Sequence, residues 1–217
     1  MKHAVLFGAS GFVGSFLLKE LLDNPAYGRV TVVVRRHLDV AHPKLHVLTG
    51  DNRSLSVLAD VPPFEDLFLA LGTTRRQTPD RNEYYRIDHD YPVAAARIAK
   101  ARGARSVFIV TAVGADAGSG IFYTRTKGET ERDILALDFD HTHIFRPSMI
   151  LGRRDRNLPS EKAFLKIWPV IDPLFVGGWS RFKGMEAKDI ARAMNRAAGL
   201  PADKINIYHR TEMRRLS

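Results

Sequence analysis

Tyr123 and Lys127 stand four residues apart, and on a helix that spacing puts both side chains on one face. A phenol with a pKa of about 10 is a poor acid–base catalyst at neutral pH. An ammonium one helical turn away favours the phenolate and draws that pKa toward the working range. The pair can then pass a proton to or from a carbonyl oxygen. Y-x-x-x-K spacing arises by chance on many exposed helices, so its weight depends on what lies around it.

The strongest surrounding signal is Lys2–Gly14, KHAVLFGASGFVG. An apolar run, Ala4–Phe7, breaks at glycines and gives way to an apolar-periodic segment, the order of a buried strand, a turn and a helix. Glycines at 8, 11 and 14 allow a tight turn, an approach free of Cβ atoms for a pyrophosphate, and close helix–sheet packing. The helix start adds N–H donors and a partial positive charge. Gly8, Ser10, Gly11, Phe12, Val13 and Gly14 are therefore expected to hold a dinucleotide. Such a cofactor moves hydride while Tyr123 moves the proton, its cationic ring helps to lower the Tyr123 pKa, and Lys127 reaches its ribose hydroxyls.

The elements that must position these groups follow in order. A first helix over 11–23 leads to strands at Val30–Val34, Leu45–Leu48 and Leu67–Leu71. A helix follows over Tyr84–Arg102, with Pro92 marking its start or a kink. Then come a strand at Ser106–Val110, a helix at Thr124–Leu137 and a strand at His141–Phe145. This alternation predicts an α/β Rossmann fold, a doubly wound parallel sheet of order 3-2-1-4-5-6 with room for a short extra strand at Lys204–Tyr208. Ligands then sit at the C-terminal strand ends. Arg35 and Arg36 close the second strand, 21 residues beyond Gly14. An NAD site carries a carboxylate there, whereas guanidinium groups suit a 2′-phosphate, so NADP(H) is the expected cofactor. Asp51, ending strand three, meets the adenine amine or caps the next turn. Leu71, Gly72 and Thr73 lie under the ribose and phosphates.

The 217 residues suit a single domain spanning 1–217. Residues 150–185 form an irregular substrate-side lobe, with a helical patch at Glu161–Ile171 and a further helix at Glu186–Ala198. Trp168, Trp179, Phe164, Phe175 and Phe182 pack that tail or wall the substrate pocket. Cysteine is absent, which excludes disulfides and thiolate chemistry. No run reaches a membrane span, and the first strand begins at once, so a cytoplasmic protein without a leader is expected. Net charge is +9, with 15 Lys/Arg against 7 Asp/Glu in 141–217. That excess reads as solvated charge, and nucleic acid is not the expected partner. His141 and His143 share a strand face but show no third ligand, so no metal is expected.

GASGFVG at 8–14, LGTTR at 71–75, YTRTK at 123–127 and FRP at 145–147 resemble the short-chain dehydrogenase/reductase superfamily. More narrowly they resemble its atypical, extended-like branch, the Tat-interacting-protein-like oxidoreductases and their bacterial relatives. The similarity runs over nearly the whole chain and is strongest at 111–129. It implies NADP(H), a Tyr/Lys pair completed by a serine or threonine, and Arg146, Pro147 and Ser148 lining the nicotinamide side of the cleft. Thr111 and Ser119 are the hydroxyl candidates, while a one-residue shift in alignment falls on Ala112. Thr111 is the expected substrate-orienting group. Asp88 takes the place of an asparagine that steadies the proton relay in many relatives, or is a surface acid.

The expected activity is an NADP(H)-dependent oxidoreduction of a small carbonyl or alcohol. A nucleotide-sugar epimerase or dehydratase is a nearby variant, although the chain is short for one. A cofactor-binding regulator or redox sensor is the alternative of another class, and a protein partner or a homodimer fits either.

Overall fold

In the computed structural model, residues 1–50, 55, 58, 61–152 and 183–217 are described. Asp51, the patch at 161–171 and the aromatic residues at 164, 168, 175, 179 and 182 lie outside them. Strands β1 (Lys2–Phe7), β2 (Tyr27–Val34), β3 (Leu45–Thr49), β4 (Asp66–Leu69), β5 (Ser106–Val110), β6 (His141–Phe145) and β9 (Ile205–Tyr208) form one parallel sheet of order β3-β2-β1-β4-β5-β6-β9. The expected doubly wound order is present, and the short last strand extends its edge. A separate parallel pair joins β7 (Ile150–Leu151) to β8 (Met185–Glu186).

Alternation along the strands builds two apolar layers. Leu6, Val32, Phe68 and Phe108 face α1 (Phe12–Asp23) and α5 (Ala187–Ala197), meeting Leu17, Leu21, Ile190 and Met194. Phe7, Val33, Leu69 and Ile109 face the other way, toward α3 (Tyr91–Ala101) and α4 (Phe122–Leu135), meeting Ala95, Ala99 and Ile134. A final helix, α6 (Arg210–Leu216), packs on α5 and buries Met213. His143 stacks between the rings of Phe108 and Tyr208, and burial pushes its pKa down to about 4. It is a neutral core side chain.

The helix expected over 84–102 is in fact α2 (Arg81–Tyr85), one π-helical turn (Arg86–Asp90) and α3. Pro92 explains the change, because it has no N–H to offer the Asp88 carbonyl one turn earlier. Thr130 Oγ1 of α4 donates to that carbonyl instead, at 2.9 Å.

Gly8 turns the chain with φ +87, and a Cβ there would run into the Ala70 carbonyl oxygen. At Gly14 a Cβ would collide with the carbonyl of Gly8, so α1 lies directly on the end of β1. Gly14→Ala is expected to lower the folding stability by about 2–4 kcal/mol, measured by denaturant unfolding. A variant as stable as wild type would show that this contact is not needed.

Candidate active site

The C-terminal ends of β1, β2, β3 and β4 open into a cleft of about 1530 Å³. Its described lining includes Gly8, Ser10, Gly11 and Phe12 from the glycine turn, Arg35 and Arg36 after β2, and Leu71, Gly72 and Thr73 after β4. Helix α1 begins at Gly11 with no side-chain cap and no acidic residue in its first turn. Gly11 adds no side chain to the cleft floor, and its N–H is tied back to the Gly8 carbonyl at 2.8 Å. Val13 and Gly14 are buried behind this floor. A pyrophosphate fits such a cradle, with a helix N-terminus beneath it and two exposed guanidinium groups at one end. Lys19 and Ser15 border the same cleft, as do Gln77, Thr78, Asp80 and Glu83 from the segment after β4. No spacing in the sequence singles these out.

Behind the Gly72 wall lies a charged pair. Lys127 Nζ is 2.5 Å from Asp88 Oδ1, with the two side chains 8% and 1% exposed. A Cβ built on Gly72 would sit 3.7 Å from Asp88 Oδ1 and 3.9 Å from Lys127 Nζ. The other carboxylate oxygen, Oδ2, accepts the Thr73 N–H at 2.9 Å. Asp88 is thus a buried acid rather than a surface one. Burial acts to lower the Lys127 pKa, but Asp88, Tyr123 and Glu131 together outweigh it and hold the ammonium above the ordinary lysine range. One turn back, in the first turn of α4, Tyr123 is 43% exposed. Enclosure around its phenol pushes the pKa up, Lys127 pulls it down, and Asp88 adds to the rise. The net direction is upward. Lys127 alone therefore does not bring the phenol toward neutrality, and the cationic ring of a bound cofactor would have to supply the remainder.

Thr111, the expected substrate-orienting group, turns its hydroxyl toward α4. Its hydroxyl, on a residue 5% exposed, donates to Glu131 Oε1 at 2.5 Å. Arg146 forks onto the same carboxylate, Nε to Oε1 at 3.0 Å and its second nitrogen to Oε2. Thr111 and Arg146 thereby tie the ends of β5 and β6 to α4 instead of facing the cleft. Arg146, Pro147 and Ser148, like Thr111, Tyr123 and Lys127, are absent from the described lining of the cleft. Pro147 accepts the Val113 N–H through its carbonyl, and Ser148 Oγ donates to the Lys183 carbonyl. Ala112, the neighbouring position, is buried and has no hydroxyl. Ser119 shares a 2.7 Å hydrogen bond with Thr124 Oγ1 and accepts the Ile121 N–H, closing the turn into α4. Glu131 was readable as the next member of the four-residue series Tyr123, Lys127, Glu131. Its partners, twenty and fifteen residues away, were not.

These bonds predict that Thr111→Val lowers stability by about 1–3 kcal/mol while dinucleotide affinity, read by calorimetry, stays within twofold of wild type. A selective loss of turnover at full stability would instead place Thr111 in the chemistry.

Comparison with known proteins agrees with this architecture. Residues 4–133 match the family model described as NAD dependent epimerase/dehydratase family. Mitochondrial protein fmp52 of Aspergillus fumigatus is 35% identical over 203 residues, covering 89% of this chain and 85% of its own. Mitochondrial FMP52 of Eremothecium gossypii is 36% identical over 154 residues, covering 70% of this chain and 68% of its own. These names overturn the expectation of a cytoplasmic protein. Its basis, the lack of a membrane-spanning run and an early first strand, speaks to fold and carries no address. Among the described residues no helix is long and apolar enough to cross a membrane. Among solved structures, MoeE5 in complex with UDP-glucose and NAD aligns with a TM-score of 0.71 at 18% identity, over 97% of this chain and 79% of that one. UDP-N-acetylglucosamine 4-epimerase from Methanobrevibacter ruminantium M1 aligns with a TM-score of 0.72 at 16% identity, over 96% and 76%. The strand order, the glycine cradle and the match over most of the sheet lead to one assignment: the chain belongs to the NAD dependent epimerase/dehydratase family.

Proposed function

We propose that this chain is an NADP(H)-dependent oxidoreductase of the short-chain dehydrogenase/reductase type, in the Tat-interacting-protein-like branch, acting on a small carbonyl or alcohol. The observation that carries the reading is the Tyr123–Lys127 face of α4, with Lys127 directly behind the Gly72 wall of the glycine-floored cleft. Gly11 and the start of α1 would receive the pyrophosphate. Arg35 and Arg36 would receive the 2′-phosphate through paired N–H donors. A bound NADP(H) would supply the hydride chemistry. The Tyr123 hydroxyl gives its proton to the carbonyl oxygen in reduction, and its phenolate takes one from the alcohol in oxidation. The Lys127 ammonium stabilises the phenolate left behind and reaches toward the ribose hydroxyls.

Two features keep other readings in play. The hydroxyls of Thr111 and Ser119 are engaged elsewhere and Ala112 has none, which favours a cofactor-holding regulator with little turnover. The family and its fold neighbours favour a nucleotide-sugar epimerase or dehydratase, in which the same tyrosine would act at a sugar carbon.

Calorimetric titration with NADPH and NADH separates these readings when it is followed by turnover assays on small carbonyls and UDP-sugars. NADPH is expected to bind at least tenfold tighter than NADH, and Arg35→Ala/Arg36→Ala to erase that preference. Tyr123→Phe should keep NADPH binding and lose about 100-fold or more in carbonyl reduction. Equal affinity for the two dinucleotides, untouched by the arginines, overturns the NADP(H) assignment. Tight binding with no turnover of any substrate favours the regulator.

A further inference from the structure

We propose that Asp88 is a positioning residue for Lys127: its carboxylate is the counter-ion that keeps the buried ammonium charged and fixed behind the Gly72–Thr73 wall of the cleft. This deepens the reading of Tyr123 and Lys127 as the proton-transfer pair. Asp88 is held at three points. Its backbone carbonyl, to which Pro92 offers no N–H, takes the Thr130 hydroxyl of α4 at 2.9 Å. Its Oδ2 takes the Thr73 N–H at 2.9 Å. Its Oδ1 meets Lys127 Nζ at 2.5 Å. The first of these bonds places residue 88 on α4 three residues beyond Lys127, and the π turn brings its side chain inward. Both the carboxylate and the ammonium are therefore set by the framework.

Charge accounting around the ammonium points to the same residue. The titratable groups acting on Lys127 are Asp88 from the π turn and Tyr123 and Glu131 from its own helix. Tyr84 of α2 acts on this group through Asp88 and Tyr123. The loop after β4 contributes a backbone N–H. Glu131 is already neutralised by the Arg146 fork and the Thr111 hydroxyl. The phenols are neutral until they ionise. Asp88 is left as the group that matches the buried positive charge. A lysine this enclosed and without a carboxylate would lose its proton at a pH well below that of an exposed lysine.

The test is a carbon NMR titration of protein labelled with 13C at the lysine ε-carbon, with the Lys127 signal assigned by Lys127→Arg. In wild type the Lys127 signal should keep its ammonium position beyond the pH at which the exposed lysines titrate. In Asp88→Asn, which preserves shape and can still accept from Thr73, the midpoint should fall by about one pH unit or more. The same midpoint in both proteins overturns the proposal. If Asp88→Asn does not fold, the double variant Asp88→Asn/Lys127→Met decides. Recovery of folding on removing the ammonium supports the counter-ion role, and continued failure makes Asp88 a framework residue and overturns it. Neither measurement needs cofactor or substrate. A failed catalytic reading of Tyr123 and a failed counter-ion role for Asp88 therefore give different results.

Discussion

The approach of α1 to the end of β1 sets the geometry on which the rest depends. Because Gly14 brings no Cβ, the helix backbone rests against the Gly8 carbonyl, and Gly8 itself turns with positive φ beneath the Ala70 carbonyl. Two of the three glycines are thus required by contacts within the protein. Gly11, at the head of the helix, is less crowded and lines the cleft together with Gly8. The same packing sets the start of the helix, the positive end of its dipole, at the cleft. A larger residue at 8 or 14 would lift the helix and lose that aim before any ligand was involved.

A second constraint runs along α4. Tyr123, Lys127 and Glu131 follow one another at four-residue steps, and each meets a different part of the chain. Tyr123 stands at the surface, Lys127 pairs with Asp88, and Glu131 gathers Arg146 and Thr111. Gly128 on the same helix lets it lie against the backbone of Asp116 and Ala117. Buried pairs of this kind add little net stability, since desolvation offsets much of their attraction. What they provide is a fixed direction for each side chain. The helix is locked to β5, β6 and the π turn by charges that would be costly to separate.

Much of this was legible in the residues. The glycine spacing, the β-branched run before Arg35 and the alternation of strands and helices are local signals, and the sheet strands and the first helix they mark are present. The Tyr/Lys pair was legible for the same reason, since its members are neighbours in sequence. The direction of the Thr111 hydroxyl was not legible, because it depends on a partner twenty residues away, which no local pattern reports. The same holds for Arg146, which is drawn to Glu131. Pro92 announced a break but not its form, a π turn whose Asp88 carbonyl takes a hydroxyl from Thr130 of another helix.

The central claim is that a nicotinamide dinucleotide lies on the glycine floor, with its pyrophosphate at the start of α1. Amide chemical shifts of the 15N-labelled protein, followed as NADPH is added, test it most directly. The account predicts that the Gly11–Gly14 and Thr73 amides move together and saturate, while the amides at the N-terminal ends of the strands, Lys2, Arg105 and His141, stay in place. Saturable shifts confined to other parts of the chain, or none at all, would contradict it.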